Sequence, residues 1–287
     1  MIYSVGSIFL DHVIKIDSFP KNPVKVIANG IEKRLGGSAA VASVKIKKLG
    51  LDVSFIGRLG DDDISKYLRS ELSKFKINQK NIISIKNTKS SHSYVYEDKK
   101  GERLLAAFSD KKLINNKKLP KVSFTRNTTF MTDLRWIEAT LHIAKKCQKK
   151  KLNQIVDLDN YKLNSTVKQI ICISSHPVFS ETGAFEYTKI KSIISSLKKM
   201  LKQPIIINSS RGSIINEEDL LKAYDEKLIS GFALDVYSSE PVQKSFLNNI
   251  NKNINCILTP HVAGVTEESN TRVTEFIAKA VKDFFKL

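Results

Sequence analysis

Cysteine is scarce in this chain: Cys147, Cys172 and Cys256 are the only three in 287 residues, and neither CxxC nor metal-ligand spacing connects them. That argues against a cysteine-held metal and predicts a reducing compartment, with the cytoplasm as the expected location. Long apolar runs are missing too. Runs such as Ile8-Phe9-Leu10 and Ile205-Ile206-Ile207 are short, against the roughly 20 residues of a membrane span. No basic segment precedes an apolar stretch of signal-peptide length, so no targeting peptide is expected. The 12 glycines nowhere form a Gly-x-Gly-x-x-Gly turn, which excludes the usual complete dinucleotide cradle.

Acidic residues are the minority charge, 29 against 47 Lys and Arg, for a formal charge of +18. A clustered excess would point to a polyanion, since each neutralised phosphate releases counterions. Here the excess is scattered: Lys47-Lys48, Lys99-Lys100, Lys117-Lys118 and Lys198-Lys199 are spread along the chain, and Lys149-Lys150-Lys151 is the one triple. A solvated Lys-rich surface is expected, not a nucleic-acid interface. At 41% hydrophobic content the chain has enough apolar residues for a sizeable core.

Strand-like runs alternate with helical periods throughout, which predicts parallel βαβ units and an α/β fold. The spacing predicts a strand over 2–9, a helix over 38–49 opened by Gly36-Gly37, and a strand over 53–56. Ile64, Leu68, Leu72 and Phe75 then recur at helical spacing. Tyr94 and Tyr96 alternate with smaller residues before a turn at Asp98-Lys99-Lys100-Gly101, so 92–108 reads as a hairpin. Further helices are expected over 136–147, 189–201, 217–228 with Asn216 as cap, and after Thr266. Further strands are expected over 154–158, 169–174, 205–208, 232–236 and 256–259.

Asp11 follows a strand, where a crevice in an α/β sheet usually forms, and a carboxylate there can accept hydrogen bonds from two neighbouring sugar hydroxyls. Gly36-Gly37 ahead of a helix lets a ligand approach the backbone and the helix N-terminus. Singly, these read as an ordinary turn or capping residue and a tight turn. Their order is more informative: Asp11, then Gly36-Gly37-Ser38-Ala39-Ala40, Gly57-Arg58-Leu59-Gly60-Asp61-Asp62, Asp98 with Gly101-Glu102-Arg103, Thr132-Asp133-Leu134-Arg135-Trp136 and Val156-Asp157-Leu158-Asp159. Over residues 1–203 this series resembles the ribokinase (PfkB) family of carbohydrate kinases. The resemblance implies a three-layer αβα domain with a mostly parallel, Rossmann-like sheet. A small β lid would cover a sugar pocket, with Asp11, Gly36, Gly37 and Arg103 near the sugar. The family's Asp-x-x-Gly-Ala-Gly-Asp segment is missing. Glu181-Thr182-Gly183-Ala184-Phe185-Glu186 comes nearest, carries Phe185 and Glu186 in place of its last Gly and Asp, and reads as a coincidental turn. Without that base and those amides, phosphoryl transfer loses its centre, which argues against ATP with Mg2+ as working cofactors.

After Pro204 the composition of motifs changes. Arg211 lies just past a strand, where its planar fork can clamp a carboxylate. A His paired with a Glu, as His261 and Glu240 would be, can exchange protons near neutral pH. Singly these are a surface residue and two loop residues. In the order Ile207-Asn208-Ser209-Ser210-Arg211-Gly212, Leu234-Asp235-Val236-Tyr237, Glu240-Pro241 and Thr259-Pro260-His261, residues 204–287 resemble the C-terminal part of the NAD-binding domain of D-isomer-specific 2-hydroxyacid dehydrogenases, phosphoglycerate dehydrogenase among them. The resemblance implies Arg211 on the substrate, His261 as acid/base with Glu240 as its partner, and Asn208 and Asp235 beside the nicotinamide. NAD would have only half a site.

Three readings follow: a kinase-derived protein that still binds a sugar or sugar phosphate, an NAD-dependent oxidoreductase acting on a 2-hydroxy acid, and a non-catalytic binding or recombinant hybrid. Each expects a small-molecule partner, no membrane and no nucleic acid, with a homodimer left open. At the junction, one buried parallel strand could substitute for another in a continuing sheet.

Overall fold

The structure, a computed structural model, describes residues 1–159, 161–190, 203–250 and 254–261. The chain divides into two compact units, Met1–Gly183 and Ala184–Leu287. The boundary expected at 203–204 is one of lineage, and these units meet earlier in the chain.

The first unit is built on a five-stranded parallel sheet whose spatial order is β11 (His176–Phe179), β10 (Asn153–Leu158), β9 (Thr129–Asp133), β1 (Ile2–Val5) and β4 (Val53–Ile56). Strands covered on both faces must be apolar on both, and β4 shows how. Phe55 packs in a cluster with residues of α1 (Ser38–Lys48) and α2 (Asp63–Lys74), whereas its neighbour Ile56 packs with Trp136 and with Ile143 of α4 (Ile137–Lys150). Successive side chains of a strand point to opposite faces, so helices lie on both sides of the sheet, and each such buried side chain contributes about 1.5–3 kcal/mol. A single 3-10 turn at Leu134–Trp136 leads into α4, and the short strands β5 (Arg58–Leu59) and β6 (Ile83–Ser84) pair apart from the main sheet.

The strand expected over 2–9 is two strands in different sheets. It breaks at Gly6, which has φ +152° and where an added Cβ would collide with the Asp133 carboxylate. The chain then crosses into a four-stranded sheet in the order β3 (Gly30–Gly36), β2 (Phe9–Lys15), β7 (His92–Glu97) and β8 (Arg103–Phe108). This is the expected lid. Its hairpin pairs His92 with Phe108 and Glu97 with Arg103, and the turn is held by Asp98, whose carboxylate accepts the Lys100 N–H at 2.9 Å and the Glu102 N–H at 3.0 Å. The one-turn helix α3 (Lys111–Ile114) follows, with Asp110 as its cap.

Residues 169–174 were expected as a strand, and they instead fall within or directly after α5 (Ser165–Ile173). Asn164 caps this helix by accepting the Val167 N–H at 2.9 Å, and Val167, Ile170 and Ile171 turn one apolar stripe inward. An i, i+3, i+4 stripe with a cap outweighs the β propensity of the run Ile170-Ile171-Cys172-Ile173. The string expected to be a turn at 181–186 opens α6 (Glu181–Thr188), where the Ser180 hydroxyl accepts the Gly183 N–H at 3.1 Å.

In the second unit, β12 (Ile205–Asn208), β13 (Gly231–Leu234) and β14 (Cys256–Leu258) form a parallel sheet of their own. The continuing sheet expected at the junction is therefore corrected: among the described residues these strands pair only with one another. Leu220 and Ala223 of α7 (Glu217–Asp225) and Phe246 of α8 (Lys244–Asn249) close a core with Ile229, Phe232, Leu234 and Tyr237. Asn216 caps α7 as expected, accepting the Asp219 N–H at 3.0 Å. The helix stops at Asp225, short of the expected 228, because Lys227 adopts a left-handed φ of 58°. The helices expected after Thr266 and, apart from its first two residues, over 189–201 lie outside the described residues.

Candidate functional site

Two sets of candidate residues lie in separate units. In the first unit, Asp11 stands on β2 level with Arg34 of β3 and Ser93 of β7. The Ser93 hydroxyl donates to its carboxylate, and Gly36 leaves the room that carboxylate occupies, since an added Cβ there would collide with it. Gly37 has φ +90°, and an added Cβ would come within 2.7 Å of the Ser7 carbonyl oxygen. Only glycine meets both demands. Asp11, Gly36 and Gly37 thus come together. Arg103 does not join them. It lies four residues along β8 from Ala107, the residue level with Ser93, or about 13 Å at the usual strand rise, and its guanidinium is paired with Glu97 at 2.9 Å.

Sequence reasoning gave no role to the carboxylates at the ends of β9 and β10, although Asp133 and Asp157 stand in the strings that carry the resemblance. The Asp133 carboxylate accepts the Ser7 N–H at 2.7 Å, the Ser7 hydroxyl at 2.6 Å and the Arg135 N–H at 3.0 Å. Burial pushes the Asp157 carboxyl up; the Ser38 side chain opposes this, and the neighbouring Asp133 and Asp159 carboxylates add to it. Glu186, at the end of the string 181–186, is ion-paired with Lys189 at 2.5 Å.

In the second unit the candidates gather at the carboxyl ends of the strands. The Asn208 side chain shapes the loop after β12, donating to the Arg211 carbonyl at 2.9 Å and accepting the Ser210 N–H at 3.1 Å. The Asp235 N–H donates to the Asn208 carbonyl at 2.9 Å, and the Thr259 hydroxyl donates to the Asp235 carboxylate at 2.6 Å, so the ends of all three strands are cross-linked. Glu240 and His261, 21 residues apart, meet through Nδ1 and Oε2 at 2.6 Å. The His261 hydrogen bond holds the Glu240 carboxyl below the usual carboxylate range, the Tyr237 N–H adds to the effect, and Asp235 opposes it. The Arg211 guanidinium is exposed and donates to the Ser210 carbonyl at 2.8 Å; it makes no hydrogen bond to the Glu240–His261 pair. Tyr237 and Thr259 were visible only as members of the motif strings, because their role depends on which loops meet. Among the described residues no group of His, Cys, Asp and Glu is arranged to hold a metal.

The sequence profile of the D-isomer specific 2-hydroxyacid dehydrogenase NAD binding domain matches residues 180–263. D-3-phosphoglycerate dehydrogenase of Synechocystis sp. is 42% identical over 88 residues, 31% of this chain and 15% of that protein. Hydroxypyruvate reductase of Blautia hydrogenotrophica is 31% identical over 131 residues, 46% of this chain and 37% of that protein. The chain therefore spans well under half of these relatives. Among solved structures, ribokinase of Arabidopsis thaliana superposes with a TM-score of 0.62 at 16% identity, covering 98% of this chain and 86% of that one. The nucleoside kinase of Methanocaldococcus jannaschii, a member of the ribokinase family, gives 0.56 at 19% identity, covering 69% and 67%. The chain thus joins a ribokinase-like fold to a C-terminal segment similar to the NAD binding domain of D-isomer specific 2-hydroxyacid dehydrogenases.

Proposed function

We propose that the C-terminal segment carries the acid/base half of a site for a 2-hydroxy acid or 2-keto acid, while the N-terminal unit keeps a carbohydrate site without efficient phosphoryl transfer. The observation that carries the first part is the 2.6 Å bond between Glu240 and His261. A carboxylate on Nδ1 orients the ring and leaves Nε2 for the substrate. Nε2 then gives a proton to the carbonyl oxygen in reduction and takes it back in oxidation. Arg211 would clamp the substrate carboxylate once its guanidinium leaves the Ser210 carbonyl. A nicotinamide cofactor, when bound, supplies the hydride. Asn208 and Asp235, on adjacent strand ends, offer the oxygen acceptors that suit its carboxamide, and the chain has no Gly-x-Gly-x-x-Gly turn for its pyrophosphate. The residues fit one half of NAD.

Titration of the full chain with NADH, followed by nicotinamide fluorescence, tests this. Saturable binding that Asp235→Ala weakens is expected, with 2-keto acid turnover that His261→Gln abolishes. No binding at millimolar NADH would sink the oxidoreductase reading.

The second part is favoured by the Asp11, Gly36 and Gly37 arrangement and by the missing catalytic segment. A sugar or sugar phosphate should raise the melting temperature of the wild-type chain and not of Asp11→Ala, with little or no phosphate transferred from ATP. A homodimer is supported by β8, an edge strand with all six residues exposed. A cytoplasmic location is supported by three free cysteines.

A further inference from the structure

We propose that Tyr237 is the positioning residue of the Glu240–His261 pair, holding the carboxylate through its backbone N–H and the histidine loop through its hydroxyl. The proposal rests on the acid/base reading above. Both members of the pair stand on loops, with side chains 38% and 46% exposed. An exposed ion pair loses side-chain entropy and is worth little by itself, so a fixed geometry needs a scaffold beneath it.

Tyr237 touches all three segments that carry the proposed chemistry. Its N–H donates to Glu240 Oε1 at 3.2 Å, leaving Oε2 for the imidazole. Its hydroxyl is shared between the Thr259 carbonyl at 3.0 Å and the Leu234 carbonyl at 3.3 Å, and the His261 N–H donates to that same Thr259 carbonyl at 3.1 Å. One acceptor therefore joins the phenol to the histidine backbone. On the third side, Gly212, next to Arg211, packs so tightly on the Tyr237 carbonyl that an added Cβ would collide with it. The ring itself is buried, with Phe246 6.5 Å away between centroids. A rigid aromatic anchored in the core thus projects its polar groups at the loop that holds Glu240 and the loop that holds His261, which is how supporting hydrogen bonds orient an imidazole.

The test follows the carboxyl carbon of Glu240 by NMR against pH in the full chain, the signal assigned with Glu240→Gln. Among the described residues, the charged or titratable groups facing that carboxyl are His261, Asp235 and Tyr237. Wild type should titrate below the ordinary glutamate range. Tyr237→Phe removes only the hydroxyl and should move the midpoint up towards that range, with His261→Gln marking the upper limit. Phe246→Leu loosens the same packing but keeps the hydroxyl, and should lower the melting temperature without moving the midpoint. An unchanged midpoint in Tyr237→Phe, or an equal shift in Phe246→Leu, overturns the proposal. Should Tyr237→Phe fail to fold, 3-fluorotyrosine at position 237 makes the phenol a stronger donor in an intact fold; a midpoint that moves down supports the proposal, and an unmoved one overturns it. NADH binding measured on the same samples separates the two ideas. Wild type that binds no NADH while Glu240 still responds to Tyr237 sinks the oxidoreductase reading alone. Where turnover is found, Tyr237→Phe should lower kcat about tenfold with little change in KM, a part of what acid/base catalysis supplies.

Discussion

Asp133 is buried, and its carboxylate joins the end of β9 to Ser7, two residues beyond β1, and to Arg135. Asp133→Ala would leave the Ser7 and Arg135 N–H groups unpaired, at about 1–3 kcal/mol for each that water cannot reach. Urea unfolding should show that loss, and Asp133→Asn a smaller one. Asp157 behaves in the opposite sense. Its carboxyl is raised mainly by burial, so the protonated form favours the fold, and this contribution is lost as pH climbs from the unfolded pKa through the folded one. Asp157→Asn should therefore raise the melting temperature at pH 7 and confer no such gain below about pH 3.9, the ordinary aspartate value. A lower melting temperature at pH 7 would contradict the burial argument. For Glu240 the carboxyl is depressed, so its contribution is present above the ordinary glutamate pKa and fades as pH falls through the folded value. Asp11, Gly36 and Gly37 were legible as candidates only through their place in the series that resembles the carbohydrate kinases, since singly each has an ordinary structural use. The part played by Asp133 and Asp157 was not, since neither Ser7 nor Ser38 is near them in sequence.

Helix α5 shows where local pattern reading goes wrong at the scale of an element. Ile170, Ile171 and Ile173 have strand propensity, yet Asn164 and the inward stripe of Val167, Ile170 and Ile171 make the segment helical. Asn164→Ala should cost about 1 kcal/mol, a fall of about 2–4 °C in the melting temperature for a unit of this size. A change under half a degree would mean that tertiary packing alone holds the helix. The hairpin at β7 and β8 was legible because alternation and a Gly-containing turn act within a few residues. The break of the first strand at Gly6 was not, because it comes from the Asp133 carboxylate on another strand.

At the scale of the whole molecule, β8 is an exposed edge of the lid sheet. Leu104 and Leu105 are 60% and 57% exposed at the end of the lid sheet, and an apolar edge strand is a template for pairing with another chain. Light scattering behind a sizing column should find a dimer that Leu104→Lys with Leu105→Lys converts to monomer; a monomeric wild type would remove the homodimer. By itself the sequence determined the α/β class, the lid hairpin and the similarity to two enzyme types, because these depend on residue type, period and order along the chain. Only the tertiary structure decided that β12 to β14 form a separate sheet and that Glu240 meets His261 while the Arg211 guanidinium turns to Ser210. Strand pairing and loop contacts join residues far apart in the chain, and their geometry is set by packing that no local pattern encodes.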